Sequence, residues 1–241
     1  MYKRQKWRHD GGRVIEIIEN HDGNHGAPGQ PRQKKRKPTP LEIAKINRHN
    51  RERTCLRKLL NNFGVSDYYV TLTYRKEDRP KDMQEAKKDV SGLIGKLRRK
   101  YKQAGVKIKW IRNIEVGSRG AWHVHMVLNR ISGLDMMISE LWKKGRVHIQ
   151  LIYQSGNMKK LAAYLTKSPV TDPGLKESHY WTSRGLFVPK PEKKIIKRWK
   201  LTDAVRIPKG YALDKDSYYE GVNAFGFAFR TYLLIRITSG G

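Results

Sequence analysis

The sequence predicts an α+β fold built on an antiparallel β-sheet. Segments of strand-like composition outnumber helical ones along the 241 residues. Two of these segments, 107–116 and 122–129, flank a turn signal at 117–120 and are therefore predicted to be the arms of a β-hairpin. A hairpin together with separate helical segments is typical of helices packed on an antiparallel sheet. The chain is long enough for one sizeable core.

The first two helices carry clear start and stop signals. One begins with the capping box Thr39-Pro40-Leu41-Glu42, with Pro at the first helical position, and ends before Gly64. The other follows Pro80 and ends before Gly105. Its apolar stripe, at helical spacing, consists of Met83, Ala86, Val90, Leu93, Ile94, Leu97 and Tyr101.

Two shorter helices and several further strands complete the prediction. The helices are expected over about 134–143 and, with Asn157 as the N-cap, up to about residue 167. The remaining strands are expected, from β-branched and aromatic content, at 68–74, 146–153, 195–199, 204–207 and 225–237.

The charge balance limits the classes of partner. There are 51 Lys and Arg against 22 Asp and Glu, which gives a formal net charge of +29. Such a chain repels itself unless a polyanion neutralises it, and nucleic acid fits best because each phosphate contact releases condensed counterions. A ribosome-associated or membrane-surface protein is the alternative.

Cysteine content and hydropathy indicate the compartment. Cys55 is the single cysteine, so we expect neither an internal disulfide nor a cysteine zinc site. No apolar run approaches the about 18 residues of a membrane span, and the N-terminus lacks an apolar signal core. We therefore expect a soluble intracellular protein.

The chain is predicted to consist of an arm and one folded domain. Residues 1–38 are polar, basic and rich in Gly and Pro, as in a flexible arm, although 14–18 could be a short strand. The basic run of the arm either contacts DNA backbone or only solvates a tail; it consists of Lys34, Lys35, Arg36 and Lys37. Residues 39–241 are expected to form the domain, with its core at about 65–170 and a β-rich C-terminal extension.

Two histidines indicate a metal site. Because side chains alternate along a strand, His123 and His125 share one face while Val124 points into the core. A three-residue loop at 118–120 would pair Glu115 with His123 on that same face; a five-residue loop keeps this pairing and a four-residue loop loses it. One carboxylate and two imidazoles suit Mg²⁺ or Mn²⁺. Two unrelated surface histidines are the alternative.

Tyr164 is a candidate nucleophile. It precedes Lys167 by three residues, so both are expected on one face of the last predicted helix. A phenolate can attack a phosphodiester and form a phosphotyrosyl intermediate, but its pKa near about 10 leaves it mostly protonated at neutral pH. Lys167 would favour the phenolate or stabilise developing charge. The alternative is an aromatic core residue on an amphipathic helix.

Three segments, taken in this order, resemble the HUH endonuclease superfamily. Tyr69-Val70-Thr71-Leu72-Thr73-Tyr74 is similar to its first conserved strand, the strand with His123-Val124-His125 to its metal motif, and Tyr164-Leu165-Thr166-Lys167 to its Tyr-x-x-Lys motif. The resemblance implies a divalent metal held by Glu115 and the two histidines. It also implies that the tyrosine attacks a scissile phosphate, stays joined to the 5′ phosphate and frees a 3′ hydroxyl.

The order of the motifs indicates the branch of the superfamily. Tyr164 follows the metal motif, as in replication initiators and small single-tyrosine transposases, whereas conjugative relaxases usually place the tyrosine first. The chain length and the basic helix at 39–63 favour a single-tyrosine rolling-circle replication initiator, or Rep protein. A transposase or mobilisation relaxase with the same chemistry remains an alternative, as does a non-catalytic basic nucleic-acid-binding protein.

The same resemblance implies the partners. The substrate would be single-stranded or hairpin origin DNA. No Walker-type loop is present, so a host helicase and polymerase are expected to act with the protein in the cytoplasm of a bacterial cell, on a plasmid, integrative element or phage. Arg119 and Arg184, in predicted loops, are candidate contacts to the DNA backbone, with a solvated basic surface as the alternative.

Overall fold

The structure is a computed structural model that describes residues 1–21, 37, 39–117, 120–152, 155–167, 180–197, 201, 204–222 and 227–237. Over these residues it is an α+β fold with two antiparallel five-stranded sheets, which confirms the predicted class. The helices are α1 (Pro40–Asn62), α2 (Met83–Gln103), α3 (Leu134–Leu141) and α4 (Ser155–Leu165). The strands are β1 (Tyr2–His9), β2 (Val14–His21), β3 (Tyr68–Thr73), β4 (Trp110–Val116), β5 (Trp122–Leu128), β6 (Val147–Leu151), β7 (Tyr180–Thr182), β8 (Glu192–Ile196), β9 (Tyr211–Val222) and β10 (Ala228–Arg236).

The chain divides into two compact units. The terminal unit comprises residues 1–47 and 188–241, and the central unit comprises residues 48–187, so the boundary falls within α1. The terminal sheet has the strand order β8-β1-β2-β10-β9, and the central sheet has the order β6-β3-β5-β4-β7. Within the described part of the chain, no helix is long and apolar enough to cross a bilayer.

The core of the central unit packs one face of its sheet against α2 and α3. All seven residues of the predicted stripe on α2 are buried, as are alternate residues of β3, β4 and β5. The sheet and α3 contribute Val70, Leu72, Ile114, Val124, Met126, Leu128, Leu134 and Ile138. Each such side chain stabilises the fold by about 1.5–3 kcal/mol. Residues of the opposite parity on these strands point to the other face of the sheet.

The ends of the first two helices agree with their sequence signals. The Thr39 N–H donates to Oε2 of Glu42 at 2.8 Å, and the Glu42 N–H donates to Oγ1 of Thr39 at 3.3 Å, which is a reciprocal capping box. α2 is followed by Gly105 in the left-handed conformation, with a φ of 68°.

The arm expected over 1–38 does not describe residues 2–21, which form the hairpin of β1 and β2 in the terminal sheet. The strand suspected at 14–18 is present and extends over the whole of β2. Asp10 and Gly11, with φ values of 48° and 61°, lie in the turn that closes the hairpin. The remainder of the expected arm, apart from residue 37, lies outside the described residues.

The polar composition of this hairpin conceals a buried ion-pair cluster. Glu19 is fully buried on β2 and accepts a hydrogen bond from Nε of Arg4 at 2.5 Å. Its other oxygen accepts from Nε of Arg230 on β10. A buried carboxylate is tolerated when charged donors satisfy it, so a sequence with the composition of a solvated segment can occupy the middle of a sheet.

The last predicted helix differs from α4 at both ends. α4 begins at Ser155, so Asn157 lies inside the helix instead of capping it. It ends at Leu165, because Oγ1 of Thr166 donates to the Ala162 carbonyl at 2.7 Å and the Lys167 N–H bonds at 3.2 Å to Tyr164, only three residues back. Lys167 therefore lies beyond the helix and not on one helical face with Tyr164.

Two strand predictions near the C-terminus also need correction. Residues 204–207 form no strand, and the strand in this region is β9. β9 is an edge strand with exposed charged residues, a composition that protects edges but hides the apolar alternation. β8 overlaps only the start of the strand expected at 195–199, whereas β10 lies within the strand expected at 225–237.

Candidate active site

The hairpin of β4 and β5 brings the predicted carboxylate and the first histidine together. Glu115 lies directly opposite His123 in the ladder. Gly120 has a φ of 66°, and the Gly117 N–H donates to the Ala121 carbonyl at 2.8 Å, as a three-residue loop requires. The predicted odd-length loop and the pairing of Glu115 with His123 are therefore confirmed.

His123 and His125 lie on one face of β5, and the fully buried Val124 between them points into the core. His125 is only 4% exposed, whereas His123 is half-buried. Their ring centroids are 6.1 Å apart. Because β5 is the third of the five strands in the central sheet, the two imidazoles lie at its middle.

Tyr164 reaches the same place from the last turn of α4. Its hydroxyl donates to Oε2 of Glu115 at 3.2 Å and lies 3.0 Å from Nε2 of His125. The Tyr164 and His125 rings meet edge to face, with centroids 4.8 Å apart. The phenol is 37% exposed, so one side of it remains open to solvent. The predicted nucleophile and two of the three predicted metal donors are thus in direct contact.

Burial sets the protonation of these groups. It lowers the pKa of His125 to about 4, and the repulsion from His123 adds to this, while Glu115 acts in the opposite direction. Burial also raises the pKa of Tyr164, and the negative charge of Glu115 raises it further. At neutral pH the His125 imidazole is therefore neutral, and the Tyr164 phenol is protonated.

Four neighbours of His125 were not predicted from the sequence. The Tyr69 hydroxyl lies 2.9 Å from its Nδ1, and Oγ1 of Thr71 lies 3.2 Å from the same atom. Thr71 pairs with His125 on one side and with the exposed His148 of β6 on the other. Asn113 pairs with His125 from β4, and its Nδ2 donates to the Lys167 carbonyl at 3.5 Å. These residues surround the imidazole and fix its orientation.

The hydroxyls at Nδ1 are suited to a metal-binding histidine. A metal-bound imidazole usually donates its other N–H to an oxygen, which fixes the tautomer and leaves the remaining nitrogen free to bind the ion. The oxygens of Tyr69 and Thr71 can accept that N–H from Nδ1 of His125. The signal for them is parity, since the two residues are two apart on β3, but the parity is useful only once the pairing of β3 with β5 is known.

The donor set fits a divalent cation in its chemistry, with one carboxylate and two imidazoles. Oε2 of Glu115 and Nε2 of His125 lie 3.5 Å apart, close enough for both to bind one ion at about 2.0–2.2 Å. Within the described part of the chain, no three His, Cys, Asp or Glu side chains already form a metal-binding group. The Tyr164 hydroxyl contacts both donor atoms. Binding of an ion there would therefore break the hydrogen bonds that Tyr164 makes.

The other predicted site residues lie apart from this contact or outside the described chain. Lys167 is exposed, and its main chain, not its side chain, makes the hydrogen bonds to Tyr164 and Asn113. Lys37 and Arg184 are exposed, as a role in binding DNA requires. The remaining predicted DNA contacts, Lys34, Lys35, Arg36 and Arg119, lie outside the described residues.

Fold and site together define an α+β protein whose antiparallel sheet carries a carboxylate, two histidines and a tyrosine on one face. Residues 67–169, somewhat less than half of the chain, match a family model of replication-associated proteins, that of the Replication-associated protein ORF2. The matched region contains every residue of the site described above and is similar to replication-associated proteins. Neither the comparison with curated proteins nor that with solved structures gives a match.

Proposed function

We propose that this chain is a metal-dependent endonuclease that nicks single-stranded DNA at a replication origin and so starts rolling-circle replication. One observation carries the proposal: the Tyr164 hydroxyl contacts both Glu115 and His125, which places the predicted nucleophile at the predicted metal donors. The similarity of residues 67–169 to replication-associated proteins supports a role in replication. The net charge of +29 supports a nucleic acid substrate.

In the proposed reaction the Tyr164 oxygen attacks the scissile phosphorus. A phosphotyrosyl bond forms on the 5′ side of the nick while the bond from phosphorus to the 3′ oxygen breaks. The phenol loses its proton, and the 3′ oxygen gains one to become the 3′ hydroxyl that a polymerase extends. A Mg²⁺ or Mn²⁺ ion held by Glu115, His123 and His125 would supply Lewis-acid polarisation of the phosphate.

The protein residues prepare this step in two ways. Burial keeps the His125 imidazole neutral, so its Nε2 can act as a metal donor at physiological pH. The charge of Glu115 raises the pKa of Tyr164, so neutralising that carboxylate makes ionisation of the phenol easier. Lys167, on the exposed segment after α4, would stabilise charge on the phosphate.

The test is a covalent protein–DNA adduct. A pool of single-stranded oligonucleotides labelled at the 3′ end is incubated with the protein and Mn²⁺ and then separated under denaturing conditions. Because the tyrosine stays with the 5′ phosphate, the 3′ label should migrate with the protein, whereas a 5′ label should be released. Tyr164→Phe should abolish the adduct, and Tyr219→Phe, at an exposed tyrosine of β9, should retain it. An adduct that survives Tyr164→Phe would remove Tyr164 from the mechanism.

A non-catalytic DNA-binding protein is the second candidate. It is favoured by the raised pKa of Tyr164 and by the fact that no metal-binding group is already formed among the described residues. It predicts equal DNA binding by the wild type and Tyr164→Phe, with no adduct in Mg²⁺ or Mn²⁺. If an adduct forms and is then joined to a second DNA end, the function is that of a transposase or a mobilisation relaxase.

A further inference from the structure

A basic groove lies at the end of β4 that is remote from Glu115. Its volume is about 930 Å³, at the upper end of the roughly 300–1,000 Å³ typical of ligand sites. Its walls come from the end of α2, the segment that joins α2 to β4, the start of β4 and the residues after β7. The side chains that give it its character are Arg98, Lys102, Lys107, Arg184 and Trp110.

The four cations of the groove have no acidic counterpart. No described Asp or Glu lines it, and none of the four forms an ion pair within the described part of the chain. Arg98 and Lys102 are one helical turn apart on α2, so like charges are neighbours there. A Cβ built on Gly185 would lie 3.1 Å from Nζ of Lys107, so this ammonium lies beside the turn that carries Arg184. Unpaired like charges in a concave surface attract a polyanion.

Trp110 gives the groove an aromatic wall held in place from behind. Its N–H donates to Oγ of Ser183 at 3.1 Å, and the Ser183 N–H donates back to its carbonyl at 2.8 Å. The guanidinium of Arg112 lies 5.3 Å from the centroid of the indole and 5.1 Å from that of Trp181. A fixed, half-buried indole next to cations is the arrangement on which a base stacks while its phosphates are neutralised.

The C-terminus of α2 opposes anion binding, because the end of a helix carries partial negative charge. Here a Schellman motif engages the final carbonyls: the Val106 N–H bonds to Tyr101 at 3.0 Å, and the Gly105 N–H bonds to Lys102 at 3.1 Å. With these carbonyls satisfied, the four full positive charges of the side chains outweigh the helix end.

We propose that this groove is a second DNA-binding site, which holds backbone phosphates of the strand that flanks the scissile phosphate, with a base against Trp110. The proposal rests on the proposed nicking function. Trp110 and Glu115 are five residues apart on β4, or roughly 17 Å at about 3.3 Å per residue. At about 3.4 Å per nucleotide step this equals about five nucleotides. The groove would thus hold the DNA several nucleotides away from the nick.

The test compares two double variants with the same change of charge. Lys102→Glu with Lys107→Glu removes two groove cations. Lys88→Glu with Lys96→Glu is the matched control, since both lysines are on α2 outside the groove. Binding of a fluorescent random-sequence single strand and of a stem–loop is measured by anisotropy at several salt concentrations. For the single strand, the groove variant should lower the slope of log Kd against log salt by about 1.4, which is about 0.7 per lost phosphate contact.

The control variant should keep a slope close to that of the wild type. Equal losses in the two double variants would overturn the groove as a DNA site and leave the proposed function untouched. Conversely, a groove-dependent slope without any covalent adduct would contradict nicking and retain the groove. A loss confined to the single strand or to the stem–loop identifies which form occupies it. If the groove variant fails to fold, Arg184→Ala tests the same site, with an expected slope change of about 0.7 for the single strand; an unchanged slope would overturn the proposal.

Discussion

The Tyr164 hydroxyl donates a hydrogen bond to Oε2 of Glu115 at 3.2 Å, although the two residues are 49 positions apart and lie on α4 and β4. This contact has two consequences for the proposed chemistry. It positions the phenol at the donor atoms, and it keeps the phenol protonated because the carboxylate raises its pKa. An ion bound by Glu115 would compete for the same oxygen, so metal binding and release of the nucleophile are expected to be linked.

Binding of Mn²⁺ should stabilise the folded protein. At about 100 times its Kd, the ion should raise the free energy of unfolding by about 2.7 kcal/mol, seen as a rise in Tm. His123→Ala should lose most of this increase because a donor is missing. His49→Ala, at an exposed histidine of α1, is the control and should retain the full increase. The same Mn²⁺ effect in all three proteins would contradict a site at His123.

Tyr69→Phe should weaken metal binding without removing a metal donor. The phenol oxygen lies 2.9 Å from Nδ1 of His125, and loss of such a partner typically costs 10–100-fold in metal affinity. Calorimetric titration with Mn²⁺ measures the change. Tyr68→Phe is the matched control, because Tyr68 is the preceding residue and points into the core instead. Equal affinities for Tyr69→Phe and Tyr68→Phe would show that the hydroxyl does not orient His125.

The predicted and the missed parts of the site differ in sequence separation. Glu115 and His123 are joined by a three-residue loop, so turn chemistry and strand parity predict their pairing. The contact of Tyr69 with His125 spans 56 residues and depends on the register of β3 against β5, which no local pattern specifies. The helix stripe on α2 was predictable in full because helical periodicity is local and one face of the helix is buried.

The same reasoning explains the terminal sheet. β2 carries Glu19 where a buried strand would be expected to be apolar. Its partner Arg230 is 211 residues away, so the pairing that makes this glutamate tolerable cannot be inferred from neighbouring residues. The Asp10-Gly11-Gly12 turn was the available local signal, since all three residues have positive φ and close the hairpin.

Acid should destabilise the central unit through His125. Its pKa is about 4 in the folded protein and about 6.5 when unfolded, so the unfolded chain binds the proton first as the pH falls. The stability linked to His125 is complete above about pH 6.5 and is lost progressively towards pH 4, by at most about 3 kcal/mol. Urea unfolding across this range measures the slope. His125→Gln should show a smaller loss, and equal pH slopes in the two proteins would contradict the assignment.

Glu19→Ala should strongly destabilise the terminal unit. The substitution leaves Arg4 and the buried Arg230 without their shared carboxylate, and breaking a buried ion pair from one side costs about 3–5 kcal/mol. Glu192→Ala is the control, since its ion pair with Arg8 is exposed and worth less than about 1 kcal/mol. Urea unfolding followed by circular dichroism compares the two variants. A similar small loss in both would mean that the Glu19 cluster contributes little.

The most direct test of the central claim is to locate the DNA adduct by mass spectrometry. The protein is incubated with single-stranded DNA and Mn²⁺, digested with nuclease and protease, and its peptides are sequenced. We predict that the peptide containing Tyr164 carries a nucleotide joined through its 5′ phosphate, and that other tyrosine peptides are unmodified. A nucleotide on a different residue, or no modified peptide although the DNA has been cleaved, would contradict Tyr164 as the nucleophile.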